Sequence, residues 1–219
     1  LKKLNYPPNY NPWAGNRRSG YQGLSEHAAA SFGQWPLTLV VVRPKSEEAD
    51  NVKRRLRKEF KLLNTDLHST DSYEETKAVA RHLLNRWSLE RMNAVPLGKA
   101  DDSADWILAQ GSDWQDRWQV NSEELVVVGS SAMAVWGLRS PRDVDILAAS
   151  TTEGGRARTD RWCSEHVTQL EYYRGGFLGI VNDPRNHLWI GHLRYLSPRA
   201  LLEMKRKRSE VPKDLVDAE

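Results

Sequence analysis

Apolar and polar positions along this chain change their period several times, and each change marks an element. Leu37 to Arg43 is an unbroken aliphatic run halted by Pro44, which reads as a buried strand. Ser46-Glu47-Glu48 has the form of a helix cap with an acidic first turn, and a helix from Glu47 to about Phe60 follows, with Val52, Leu56 and Phe60 on one face. Ser72-Tyr73-Glu74-Glu75 opens a second helix that carries Val79, Leu83 and Leu84. Farther on, Trp114 and Trp118 stand four apart, as on one side of a helix. Val126 to Val128 is again a β-branched strand. It stops at Gly129-Ser130-Ser131, a short helix-competent segment follows, Gly137 closes it, and Asp143 to Leu147 alternates as a second strand. Arg158 to about Tyr172 predicts a helix with Trp162, Val167 and Leu170 inward. Gly175-Gly176 breaks the pattern, Asp183 to Asn186 is a turn, and His187 to Leu196 reads as one strand. Ser197-Pro198 starts a final helix with Leu201 and Leu202 inward.

The stretch around Gly129 carries the most chemistry. Strand side chains alternate, so Asp143 and Asp145 point one way, roughly 7 Å apart at Cα, while Val144 and Ile146 point the other. Two carboxylates so placed can share a hard divalent cation, which takes its remaining ligands from phosphate and water. Gly129 allows backbone to approach a phosphate closely. Ser130 and Ser131 add hydroxyls and unpaired N–H groups at the start of a helix.

This order of parts, Gly129-Ser130 after a strand, a short helix, the Gly137-Leu138-Arg139 turn and Asp143-x-Asp145, resembles the nucleotidyltransferase superfamily that includes DNA polymerase beta. About twenty residues carry the likeness. It implies transfer of a nucleoside monophosphate from a nucleoside triphosphate to an acceptor hydroxyl, with Asp143 and Asp145 holding Mg²⁺, or Mn²⁺ in its place. The β,γ-phosphates would then lie on Gly129 and Ser130; Ser131 at the helix start is a further nucleotide-binding candidate, and Arg139 or Lys205 would offset charge. The catalytic set it implies is Asp143, Asp145 and Ser130. Small members also carry a Lys-rich last helix ending in Lys-Asp-x-x-Asp, and this chain has Lys205 to Arg208, then Lys213-Asp214 and Asp217. Many members place a third acidic ligand on the strand after the Asp-x-Asp hairpin. Between His187 and Leu196 there is none, with Asp183 and Glu171 as the nearest substitutes in sequence.

Composition bounds this picture without changing it. The 219 residues suffice for one large or two small domains, and 39% hydrophobic with 28% charged residues is an ordinary balance without a membrane-length apolar run. Cys163, the sole cysteine, forms no internal disulfide and reads as an inert buried thiol. A cytoplasmic setting is expected. The chain begins at Leu1 and is expected to continue a longer or processed one. A net charge of +3 does not imply a general polyanion-binding surface. Of the nine tryptophans, Trp136 lies nearest the Gly-Ser turn. His68, Asp71, Glu74 and Glu75 cluster, and capping explains them more cheaply than metal binding. His166 reads as structural or solvated rather than as an acid or base.

The expected fold class is α/β (α+β), a nucleotidyltransferase-like mixed sheet flanked by helices. The expected division is an irregular arm over 1–36, a small α/β subdomain over 37–98 and the nucleotidyltransferase-like domain over 99–219. Its partners would be a nucleoside triphosphate and an acceptor that is a small molecule, sugar, RNA or protein, without a membrane; oligomeric state is left open. Two rivals stand beside it: a nucleotide-binding or regulatory module without turnover, and a nucleic-acid-binding protein using the basic C-terminal helix.

Overall fold

The computed structural model describes residues 49–62, 67, 70, 72–94, 99–149, 159 and 161–208. The arm over 1–36, the strand expected at 37–43, His68 and Asp71 of the polar cluster, and the acidic tail after Arg208 lie outside the described residues. Two compact units divide the chain, residues 1–83 and 84–219.

In the first unit the described elements are helices α1 (Ala49–Glu59) and α2 (Tyr73–Leu83). The expected cap of α2 is present, since the Glu75 N–H donates to Ser72 Oγ at 3.1 Å. His82, buried on α2, places Nδ1 2.7 Å from the Ala78 carbonyl, and burial pushes its pKa below the ordinary value.

The second unit is a mixed α/β structure built on a five-stranded mixed sheet flanked by helices. In chain order it runs α3 (Arg86–Ala94), α4 (Lys99–Trp118), β1 (Leu125–Val128), α5 (Gly129–Ala134), β2 (Val144–Ala148) and β3 (Cys163–Glu165). There follow a 3-10 turn (Val167–Tyr172), α6 (Gly176–Val181), β4 (His187–Ile190), β5 (Leu193–Leu196) and α7 (Pro198–Lys207). The strands lie in the order β3-β2-β1-β5-β4. β1 is antiparallel to β2 and parallel to β5, β2 is parallel to β3, and β4 and β5 form an antiparallel hairpin.

β1 is buried at all four positions because both faces of the sheet are covered, the usual cause of an unbroken aliphatic strand. On one face Val126, Val128, Leu147 and Leu196 pack with Met133 of α5, Phe177 and Ile180 of α6, and Leu201 and Met204 of α7. On the other face α4 approaches so closely that a Cβ on Gly111 would stand 2.6 Å from Leu193 Cδ1. Alternation along β2 then puts Asp143, Asp145 and Leu147 toward α5, α6 and α7, and Val144, Ile146 and Ala148 toward the α4 side.

Two elements differ from the sequence expectation. In its described residues the helix expected from Arg158 to Tyr172 is instead β3 followed by the 3-10 turn. Sheet pairing outweighs the helical spacing: the Val144 N–H donates to the Trp162 carbonyl at 2.6 Å, and the His166 N–H donates to the Ile146 carbonyl at 2.8 Å. Cys163 is accordingly a strand residue, buried as expected. The single strand expected over His187 to Leu196 is a hairpin. Gly191, at φ +57°, turns the chain where a residue with a Cβ would be strained and would also crowd Leu108. The final helix starts as expected, with Ser197 Oγ accepting from the Ala200 N–H at 3.3 Å and Pro198 at the first position. Its buried residues are Ala200, Leu201, Met204 and Lys205; Leu202 is only half-buried.

Helix α3, which falls before the boundary expected near Lys99, belongs with the sheet. Asn85 caps it, accepting from the Ser88 N–H at 3.0 Å, and the same side chain donates to the His187 carbonyl at 3.0 Å and the Pro184 carbonyl at 3.2 Å. Ser88 Oγ then accepts from the Trp189 N–H at 2.8 Å. Side chains of α3 thus occupy the outward backbone groups of edge strand β4, which would otherwise be open to pairing with another chain. Arg91 extends the attachment, donating from Nε to the Val135 carbonyl at 2.8 Å. Replacing Asn85 by Ala removes a cap and leaves buried carbonyls unpaired, so urea unfolding followed by tryptophan fluorescence should show a loss of about 2–3 kcal/mol. Unchanged stability would show that α3 is not the brace of this edge.

Candidate functional site

The backbone of β1 enters α5 through Gly129, at φ +59°. That conformation is accessible without strain to glycine. A second demand falls on the same atom: a Cβ there would overlap Asp145 Oδ2, so the carboxylate rests directly on the Gly129 Cα. The register explains the meeting, because Val128 lies opposite Asp145 in the β1–β2 pair and the next residue is where the chain turns. The two halves of the sequence motif therefore share one spot.

Around that spot the structure fixes each part. Ser131 is fully buried, and its hydroxyl donates to the Asp143 carbonyl at 2.6 Å, tying the first turn of α5 to the entry of β2. Ser130 is half-buried at the start of α5, where no side chain caps the helix. The end of α5 is closed by a Schellman pair, with the Gly137 N–H on the Ala134 carbonyl at 2.9 Å and the Leu138 N–H on the Met133 carbonyl at 3.3 Å, Gly137 having φ +72°. Asp143 is exposed, whereas Asp145 is 9% exposed.

His166 is the group that sequence reasoning underweighted. Its Nε2 lies 2.7 Å from Asp145 Oδ1 and 3.2 Å from Ser164 Oγ, and its Nδ1 is against Gln169 Nε2. Asp145, chiefly through this hydrogen bond, raises the imidazole pKa above its ordinary value; the Asp143 charge adds to the rise, while burial and the Arg208 charge oppose it. Both aspartates therefore act on one imidazole. The misread helix concealed this: as a helical residue His166 has no reason to meet Asp145, but in β3 the register sets Ser164 beside Asp145 and His166 two residues on.

The same register places the acidic residue of β3. Among the described residues the first strand after Asp143-x-Asp145, and its neighbour in the sheet, is β3 rather than the stretch 187–196. Its acidic residue, Glu165, pairs with Ile146 and so belongs to the opposite face, where it is buried. Among the described residues no group of three His, Cys, Asp or Glu side chains is arranged to hold a metal ion. Two carboxylates remain on the face of the turn, a donor set of hard oxygens that suits Mg²⁺ when phosphate and water supply the other ligands.

The remaining predicted residues are distributed as follows. Arg139 is half-buried in the bend that leads from α5 toward β2. Lys205 is only 4% exposed on the face of α7 that joins the core, so the basic run Lys205 to Arg208 is not a continuous surface strip. Arg208 places its guanidinium 5.5 Å from the centroid of Tyr172 and its charge is felt at His166, which brings the end of α7 near the site. Trp136 packs edge-on to Trp87, with centroids 6.3 Å apart. No described helix is long and apolar enough to cross a membrane.

No protein-family profile, curated protein or solved structure matches the chain.

The raised pKa of His166 fixes the sign of a pH effect. Its folded value lies above its unfolded value, so the pair with Asp145 contributes stability that is fully present below about pH 6.5, the ordinary imidazole value, and is lost as pH rises through the folded value. Asp145→Asn should therefore lower the His166 pKa in an NMR titration, and its stability deficit against wild type should be largest below that pH and shrink above it. A deficit independent of pH would contradict the pairing.

Proposed function

We propose that this protein is a Mg²⁺-dependent nucleotidyltransferase, transferring a nucleoside monophosphate from a nucleoside triphosphate to an acceptor hydroxyl. The observation that carries the reading is the contact of the Asp145 carboxylate with the Gly129 Cα, which unites the phosphate-type turn and the acidic strand at one point. Asp143 and Asp145 would hold the metal, which supplies charge neutralisation at the phosphates. Ser130 and the amides of the uncapped first turn of α5 hold the leaving phosphates. The acceptor oxygen forms a bond to the α-phosphorus, the bond from that phosphorus to the bridging oxygen breaks, pyrophosphate departs with the electron pair, and the hydroxyl proton passes to solvent. The chain's own contribution is position. Ser131 fixes the start of β2 against α5, and the sheet holds Asp145 against the turn. Arg139 or Lys205 is assigned to charge compensation, Lys205 from a buried position on α7.

A second reading draws on a specific observation. His166 already occupies Asp145 Oδ1, and Glu165 belongs to the opposite face, an arrangement that favours nucleotide binding without turnover. One pair of measurements separates the two. With Mg²⁺ and a nucleoside triphosphate near a hundred times its dissociation constant, the melting temperature should rise by roughly 5–10 °C, and Asp145→Asn should abolish the rise. Release of pyrophosphate across a panel of hydroxyl acceptors supports transfer; a metal-dependent shift with no product from any acceptor supports the binding module; no shift with any nucleotide removes both.

A further inference from the structure

We propose that a cavity beside α6 and α7 is a second binding site, separate from the aspartate pair, for a small molecule with an apolar body and an oxyanion head. This inference stands independently of nucleotidyl transfer. The cavity is open to solvent on one side and has a volume of about 560 Å³, and neither Asp143, Asp145 nor His166 lines it.

Its chemistry follows from the arginines along its wall. Arg185 is neutralised by Asp183, with Nε 2.9 Å from Oδ1 and Nη2 2.7 Å from Oδ2, and these bonds hold the Asp183 carboxyl down to about 2, so the pair stays ionised and closed. Arg199 is likewise matched by Glu203 at 3.0 Å. Arg174 also lines the cavity, and its guanidinium has no hydrogen-bond or ion-pair partner among the described residues. One unmatched cation remains, and a guanidinium is a natural partner for phosphate or carboxylate. The rest of the lining includes Tyr172, Leu178 and Ala200, and Leu178 is 66% exposed, a large apolar side chain left open at a cavity.

The wall that carries Arg174 is firmly seated. A Cβ on Gly179 would overlap the Arg174 carbonyl, so this loop lies flush on α6, and Asn186 Nδ2 donates to the Gly179 carbonyl at 2.8 Å from the other side. The backbone that carries Arg174 is thus held in place. Tyr172, which lines the cavity, also carries Arg208 against its ring, and Arg208 acts on His166, so one arginine relates the cavity wall to the candidate centre.

Titration of the whole protein with phenyl phosphate, followed by amide ¹H–¹⁵N shifts, tests the proposal. Saturable shifts are expected at Gly175, Leu178, Gly179 and Asn182, preserved in Asp145→Asn and weakened about tenfold in Arg174→Gln by loss of a charge-assisted hydrogen bond. Leu178→Glu, at an exposed position, should weaken binding by replacing apolar wall with a charge of the ligand's own sign. Inorganic phosphate should bind more weakly because it has no body to fill the cavity, and phenylacetate distinguishes a carboxylate from a phosphate preference while supporting the site in either case. Shifts confined to Gly129 to Ala134, no saturation at residues 174–182 with any of the three probes, or affinity unchanged in both variants would overturn it.

Discussion

The second unit depends at its functional end on one close approach: the Asp145 carboxylate lies where a side chain on residue 129 would be. Glycine is needed there twice over, for the left-handed turn and for the space. Because β1 and β2 are adjacent and antiparallel, the end of one and the start of the other necessarily meet, and the missing Cβ turns that meeting into contact between backbone and carboxylate. The pair is then locked from two sides, by Ser131 on the Asp143 carbonyl and by His166 on Asp145.

Within the second unit the surrounding described elements hold that register. A one-residue slip of β2 would turn Asp145 toward α4 and bring Ile146 to the turn, so the apolar alternation of Val144, Ile146 and Ala148 against Leu147 selects the chemical face as well as the core. α4 seals one side of the sheet, and α5, α6 and α7 seal the other. At the far edge α3 covers β4 with Asn85 and Ser88, side chains whose hydrogen bonds replace those a sixth strand would make.

Much of this was legible in the chain itself. The Val126 to Val128 run, the glycine-serine turn, the short helix closed at Gly137, the alternating aspartate strand and the Ser197-Pro198 helix start are all local signals, each with its own backbone or packing cause, and each appears in place. The third strand was not legible, because Cys163-Ser164-Glu165 is too short to show a period and acquires strand geometry only by pairing with β2. With β3 hidden, the sequence shows His166 only as an isolated helical histidine, and its meeting with Asp145 cannot be read from it. The hairpin at Gly191 was missed for a related reason, since a single glycine in an apolar run marks a turn only once the partner residues are known. Asn85 and Ser88 also gave no warning, because capping an edge strand is a tertiary event.

The site is a carboxylate pair set on a glycine turn, with an imidazole bonded to its inner member. Whether the two aspartates bind a metal with a triphosphate is the claim on which the functional account turns. Paramagnetic broadening by Mn²⁺, added with a non-hydrolysable nucleoside triphosphate and read on assigned amides, tests it most directly. The account predicts that Gly129 to Ser131, Asp143 to Asp145 and His166 broaden first, and only when nucleotide and ion are both present. Broadening at other acidic surfaces first, with these residues unaffected, would contradict it.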